Sequence, residues 1–145
     1  MSYESSDSPR YAVVAALTSR ASVRRVLIIE DCVEDALLLG LAFEEQAPEV
    51  QVQVVRDGAS GVACFQSLEA PEMVLLDLHL PGQMSVEILT QLQQSAATPF
   101  QAVCWSSCAH PAAVQTMLDH GAVAYLEKPR EAAGFAQIVH SLLAL

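Results

Sequence analysis

The chain has 145 residues, the usual length of one domain, and at 52% hydrophobic with 17% charged residues it has the material for a packed core, which excludes disorder as its main state. Seventeen Asp and Glu against seven Lys and Arg leave a net charge of -10, which repels phosphate backbones and anionic headgroups and argues against nucleic acid as a direct partner. No apolar run approaches the roughly 18 residues that span a bilayer, no secretory leader is recognisable, and four cysteines without CxxC spacing fit a reduced, cytoplasmic protein with no membrane partner.

Residues 1–22 read as a separate N-terminal extension. Ser2, Glu4, Ser5, Ser6, Asp7 and Ser8 make a polar start, and 11–17 is an apolar second half that suits a short helix with Pro9 in its first turn. Termini of this kind are usually loosely attached. The domain proper is expected over 23–145.

From Arg25 onward short apolar runs alternate with helix-length stretches. The first run, 26–29, ends at Glu30-Asp31 and precedes a helix over 33–46, whose core face is Leu38, Leu39, Ala42 and Phe43. Leu37 and Leu41 fall off that face and offer a seat for residues 11–17. A second run, 50–55, leads to a helix over 58–69. The third, 73–76, ends at Asp77 and precedes a helix over 84–94. The fourth, 102–105, ends at Ser106-Ser107 and precedes a helix over 111–120, opened by Pro111 and stopped by Gly121. The fifth, 123–126, leads to Lys128-Pro129 and a helix over 131–143, with Phe135, Ile138, Val139 and Leu142 on one face.

Five strands strictly alternating with five helices predict an α/β fold, a (βα)5 doubly wound parallel sheet covered on both faces. Continuous apolar strands such as Val26-Leu27-Ile28-Ile29 fit burial on both sides. Ligands in such sheets sit beyond the carboxyl ends of the strands, where the strand order reverses. Those ends carry Glu30, Asp31 and Asp77, a Ser106-Ser107 pair, and Lys128, the single lysine of the chain. Clustered oxygens hold a hard divalent cation such as Mg²⁺, a carboxylate can act as nucleophile, and hydroxyl and ammonium groups stabilise charge on a transferred phosphoryl group. Zinc would call for Cys or His at suitable spacing. Each residue also has an ordinary alternative: Asp31 as a helix cap, Lys128 as a surface lysine, the serines as loop hydroxyls. Asp77 resists that alternative, because it ends a buried strand where an unpaired carboxylate is costly.

Taken together, Val26-Leu27-Ile28-Ile29-Glu30-Asp31, Val74-Leu75-Leu76-Asp77-Leu78-His79-Leu80-Pro81-Gly82, Ser106-Ser107, and Gly121-Ala122-Val123-Ala124-Tyr125-Leu126-Glu127-Lys128-Pro129 resemble the response-regulator receiver domain of two-component signalling systems, over roughly residues 25–145. The resemblance implies a flavodoxin-like sheet of strand order 2-1-3-4-5. It also implies Asp77 as phosphoacceptor, with Mg²⁺ held by Glu30, Asp31, Asp77 and the backbone carbonyl of His79. Ser106 and Lys128 stand where the family binds phosphoryl oxygens, and Tyr125 stands at the aromatic switch position that relays to a face over 111–143. His79 and Cys108 occupy positions that flank the phosphoryl group and influence its lifetime. The run from Glu30 to Leu38 is similar to stand-alone receivers paired with bacterial phytochromes. With no output domain in the chain, the implied partners are a sensor histidine kinase or phosphotransfer protein upstream and a protein target on the 111–143 face, a face that can also support a homodimer.

Two departures from the family pattern stand out. Gln83-Met84-Ser85 replaces the usual Met, Asp and Gly, and a lost Gly is expected to reshape the loop beside Asp77. Trp105 is bulkier than the aliphatic residue usual before Ser106 and is expected to constrain the switch. His110, His120 and His140 read as surface or packing residues, and Cys32 as an inert thiol rather than a redox sensor. The function expected is a response regulator whose only catalysis is its own phosphorylation and dephosphorylation. The competing functions are a phosphorylation-independent interaction module and an aspartate-nucleophile phosphatase. The latter usually has a second Asp two residues on, where this chain has His79.

Overall fold

The computed structural model describes residues 23–67 and 69–145; the extension over 1–22, with its expected short helix, lies outside the described residues. Strands and helices alternate as β1 (Arg25–Ile29), α1 (Val33–Gln46), β2 (Gln51–Val55), α2 (Gly58–Cys64), β3 (Met73–Asp77), α3 (Ser85–Ser95), β4 (Gln101–Ser106), α4 (Pro111–Asp119), β5 (Ala124–Glu127) and α5 (Phe135–Leu143). Every strand pair is parallel and the order is β2-β1-β3-β4-β5, the doubly wound sheet that the alternation implied.

Successive residues of a strand face opposite sides, so the sheet feeds two apolar layers. Val26, Ile28, Met73, Leu75, Val103 and Trp105 pack with α1 and α5 through Leu39, Phe43, Phe135 and Leu142. Leu27, Ile29, Val74, Leu76, Ala102 and Cys104 pack with the opposite helices through Ile88, Leu89, Leu92 and Met117. Burial on both faces is why these strands are apolar without interruption.

Most element bounds fall within a residue of the sequence reading, and the differences that bear on the fold or the site are these. The helix expected over 58–69 stops at Cys64, because Phe65 and Gln66 turn back onto Val62 and Ala63 and the Ser67 hydroxyl donates to the Cys64 carbonyl (3.0 Å). The last helix begins at Phe135, preceded by a single 3-10 turn over Ala132–Gly134. A Cβ on Gly134 would lie 2.7 Å from that of Pro129, so the chain passes too close there for any side chain. Asp77 and Ser106 are the last residues of β3 and β4 rather than the first beyond them. β5 runs one residue later than read, from Ala124 to Glu127, with Val123 solvent-exposed just before it.

The chain leaves β1 for the edge strand β2 and then crosses back to β3 on the other side of β1. This reversal opens a crevice at the carboxyl ends of β1 and β3. Glu30-Asp31 and Asp77 emerge there, next to each other.

Candidate functional site

Glu30 directly follows β1 and is fully buried, since its backbone N–H still donates to Val55 (3.0 Å) and keeps it in the sheet. Its Oε2 accepts the Cys32 N–H (3.0 Å). Asp31 is half-buried and does not cap α1; Cys32 occupies the cap position without a side-chain bond. Asp77 is buried at the end of β3, its Oδ1 accepting the N–H of His79 (2.8 Å). Oxygens of Glu30, Asp31 and Asp77 lie within 4.8 Å of one another, which brings together the three carboxylates read from the sequence.

Lys128 reaches the same place from the loop after β5, its backbone N–H donating to the Ser106 carbonyl (2.8 Å). The ammonium lies 2.9 Å from Glu30 Oε1, 2.9 Å from Asp35 Oδ2 and 3.2 Å from Asp77 Oδ2. It also stands 5.1 Å from the centre of the Trp105 ring. Burial works to lower its pKa, but Glu30, Asp35 and Asp77 outweigh burial and hold it above the usual lysine range. The Glu30 carboxyl is pushed up to about 7, first by burial and then by Asp77, against the opposing pull of Lys128 and the Cys32 N–H.

Ser106 is buried, and its hydroxyl meets the Tyr125 hydroxyl at 3.0 Å. Tyr125 itself packs on the layer that holds Leu76, Cys104 and Met117, with its ring turned into the domain. His79 and Cys108 also come together, though not through the thiol: His79 Nε2 lies 2.9 Å from the Cys108 backbone carbonyl. The Cys108 side chain is exposed.

The two departures from the family pattern take defined places in the fold, and that of Ser85 differs from expectation. Ser85 does not need a positive φ, because it is the first residue of α3, and Gly82 (φ 80°) takes the turn instead. The Ser85 hydroxyl is buried and donates to the backbone carbonyl of Asp77 (2.7 Å), so the substituted residue ties α3 to the strand end. Trp105 points into the α1/α5 layer, edge-on to Phe135 at 6.3 Å between ring centres. Its indole Nε1 is buried without a hydrogen-bond partner.

Asp35 was missed by sequence reasoning. It stands in the first turn of α1, four residues after Asp31, and nothing in that spacing signals a partner 93 residues away. Its acidic character near a helix start was visible, but it reads there as a complement to the helix dipole.

A hard divalent cation suits this donor set. Four carboxylates against one ammonium leave the site negative, and Glu30 Oε1 is buried without a hydrogen bond of good geometry although Lys128 is near. That orphaned oxygen, with Asp31 and Asp77 beside it, is the position an oxygen-seeking ion would satisfy.

A doubly wound α/β domain with carboxylates and a lysine gathered at its switch point is the class that fold and site define. The chain belongs to the response regulator receiver domain family, whose model matches residues 26–140, and it is thus a receiver domain of two-component signal transduction. Among curated proteins it is 29% identical over 119 residues to the transcriptional regulatory protein LiaR of Bacillus subtilis, covering 81% of this chain and 54% of LiaR. The chain therefore spans about half the length of that relative. Among solved structures it is similar to the Mn(2+)-bound form of response regulator Rcp1, with TM-score 0.70 and 21% identity over 84% of this chain and 93% of that one. It is also similar to the phosphorylated cyanobacterial phytochrome response regulator RcpA, with TM-score 0.72 and 22% identity over 83% and 91%. At these identities the structural likeness is one of fold.

Proposed function

We propose that Asp77 accepts a phosphoryl group from the phosphohistidine of a sensor kinase or phosphotransfer protein, in a Mg²⁺-dependent reaction. The observation that carries this reading is the placement of Asp77 Oδ2 at 3.2 Å from Lys128 Nζ, inside a set of three carboxylates at the strand ends. A carboxylate oxygen of Asp77 forms the new O–P bond while the donor's N–P bond breaks and its imidazole leaves with the electron pair. Glu30, Asp31 and Asp77, with the His79 carbonyl, are the residues that hold Mg²⁺, which supplies charge neutralisation for phosphoryl oxygens when bound. Lys128 is anchored beside the acceptor and offers positive charge to the phosphoryl group, and Ser106 offers a hydroxyl. The Mn(2+)-bound state of Rcp1 and the phosphorylated state of RcpA support both parts of the reading by analogy of fold.

Signal output follows from the Ser106–Tyr125 pair. A Ser106 hydroxyl drawn to the phosphoryl group leaves its 3.0 Å contact with Tyr125, and the ring on β5 resettles against α4. The face over 111–143, where Leu118 and Val123 are exposed, then presents a changed surface to a protein target or a second copy. The net charge of -10 supports a protein partner over nucleic acid. No helix among the described residues is long and apolar enough to cross a membrane.

Incubation with acetyl phosphate and Mg²⁺, read by intact mass, tests the reading. A phosphoryl-sized gain in wild type that is absent from Asp77→Asn and from a chelated sample is the expected result. A folded wild-type protein with neither mass gain nor beryllofluoride binding overturns it in favour of a phosphorylation-independent module.

A further inference from the structure

Four of the large apolar side chains that the fold leaves exposed lie together. Val33, Leu37 and Leu41 are 64%, 58% and 50% exposed on α1, and Val54 on the edge strand β2 is 41% exposed. The three α1 residues recur every fourth position, so they form one stripe along the helix. With Val54 they line a groove of about 460 Å³ between α1 and β2. A Cβ on Gly40, in the middle of the stripe, would meet nothing within 4 Å, so the groove is open at that point. This stripe is separate from the face of α1 that packs on the sheet, where Ala36, Leu39, Ala42 and Phe43 are buried. Grouped exposed side chains of this kind mark a contact surface.

We infer that the groove is the seat of this chain's own residues 11–17. That segment, Tyr11-Ala12-Val13-Val14-Ala15-Ala16-Leu17, is an apolar run flanked by Arg10 and Arg20. Charge is complementary: α1 carries Glu34, Asp35, Glu44 and Glu45 and no basic residue, and the groove wall itself holds Glu30 and Glu44 against one arginine, Arg56. Reach is sufficient. The Arg24 carbonyl accepts the N–H of Gln51 (2.6 Å), and Val50 N–H donates to Ala47 (3.0 Å) just past α1, so the described chain begins near the carboxyl end of α1. Residues 18–22 span up to about 17 Å when extended, and the groove runs about 17 Å along α1 from Val33 to Glu44 at 1.5 Å per residue. The segment thus reaches the groove without displacing β1. The inference stands on the groove and the sequence, and it holds whether or not Asp77 is phosphorylated. Its consequence is that the chain covers the α1 face next to Glu30 and Asp31 with its own extension, and another protein must displace residues 11–17 to use that face.

The test uses the full chain with a photo-crosslinking residue, Val14→p-benzoylphenylalanine, irradiated and mapped by peptide mass spectrometry. Crosslinks within the monomer to 33–44 or 52–56 are expected. Leu37→Glu with Leu41→Glu, at exposed positions that leave the core untouched, abolishes those crosslinks while the far-ultraviolet circular dichroism stays unchanged. Crosslinks to other surfaces, crosslinks between two copies, no crosslink, or crosslinks that survive the double substitution each overturn the inference.

Discussion

The ammonium of Lys128 is held from α1 by Asp35, whose Oδ2 lies 2.9 Å from Nζ, as close as Glu30 and closer than Asp77. The single lysine of the chain therefore bridges the loop after β5 to the helix that begins at the acidic site. Of its three carboxylate partners, Asp35 is the most exposed, with 23% of its side chain open to solvent.

Asp35→Ala removes one of the three restraints while leaving Glu30 and Asp77 in place. Solvent screening limits the pair's contribution to stability to about 1 kcal/mol or less. Positioning is affected more, because the freed ammonium settles closer to Glu30 and is less well aimed at Asp77. The acetyl phosphate reaction, followed by initial rate of mass gain, is expected to slow by roughly three- to tenfold. An unchanged rate would show that Asp35 is an ordinary surface partner.

Metal affinity is expected to depend on pH through Glu30. Its carboxyl titrates at about 7, so below that pH a proton must leave before a cation binds. Mg²⁺ affinity should climb by up to about tenfold per pH unit approaching 7 and level off above it. Stability without Mg²⁺ runs the other way. The folded pKa lies above the ordinary 4.5, so the folded state binds more protons through this window and loses stability as pH rises from 4.5 to about 7. Trp105 is the sole tryptophan and lies beside Lys128, so its emission is a convenient readout for the titration. A flat affinity across the window contradicts the assignment of Glu30 as a ligand.

Ser85→Ala deletes a buried hydroxyl whose only role in the structure is its 2.7 Å bond to the Asp77 carbonyl. The expected cost is about 1–2 kcal/mol in urea unfolding, with an unchanged denaturant slope. Loss of less than a few tenths would mean that water replaces the hydroxyl at that carbonyl.

His79 and Cys108 should separate in their effect on phosphoryl lifetime. His79 bonds the backbone carbonyl of Cys108, so Cys108→Ser preserves the contact and His79→Ala destroys it. Decay of the phosphorylated protein, followed by mass, is expected to change several-fold in His79→Ala and little in Cys108→Ser, with melting temperatures near wild type in both. Equal effects from the two variants would place the thiol, rather than the carbonyl link, next to the phosphoryl group.

Much of the fold and the acidic site is legible in the chain alone, for a local reason. Apolar runs of strand length separated by amphipathic stretches dictate a (βα)5 sheet, because the inner strands must be covered on both faces. Polar residues that interrupt such runs at Glu30, Asp77 and Ser106 can only lie at strand ends. What the sequence could not carry were relationships between distant elements. Asp35 and Lys128 are 93 residues apart and meet only because β1 lies inside the sheet, between β2 and β3, with α1 folded over it. Ser85 looked like a missing glycine until its place at the start of α3 put its hydroxyl on Asp77. The raised pKa of Glu30 likewise depends on packing, since burial and the approach of Asp77 follow from the pairing of β1 with β3. Periodicity is a property of neighbours along the chain and is written in their order. Charge pairing, burial and the open groove on α1 depend on which elements the sheet places side by side, and only the folded chain decides that.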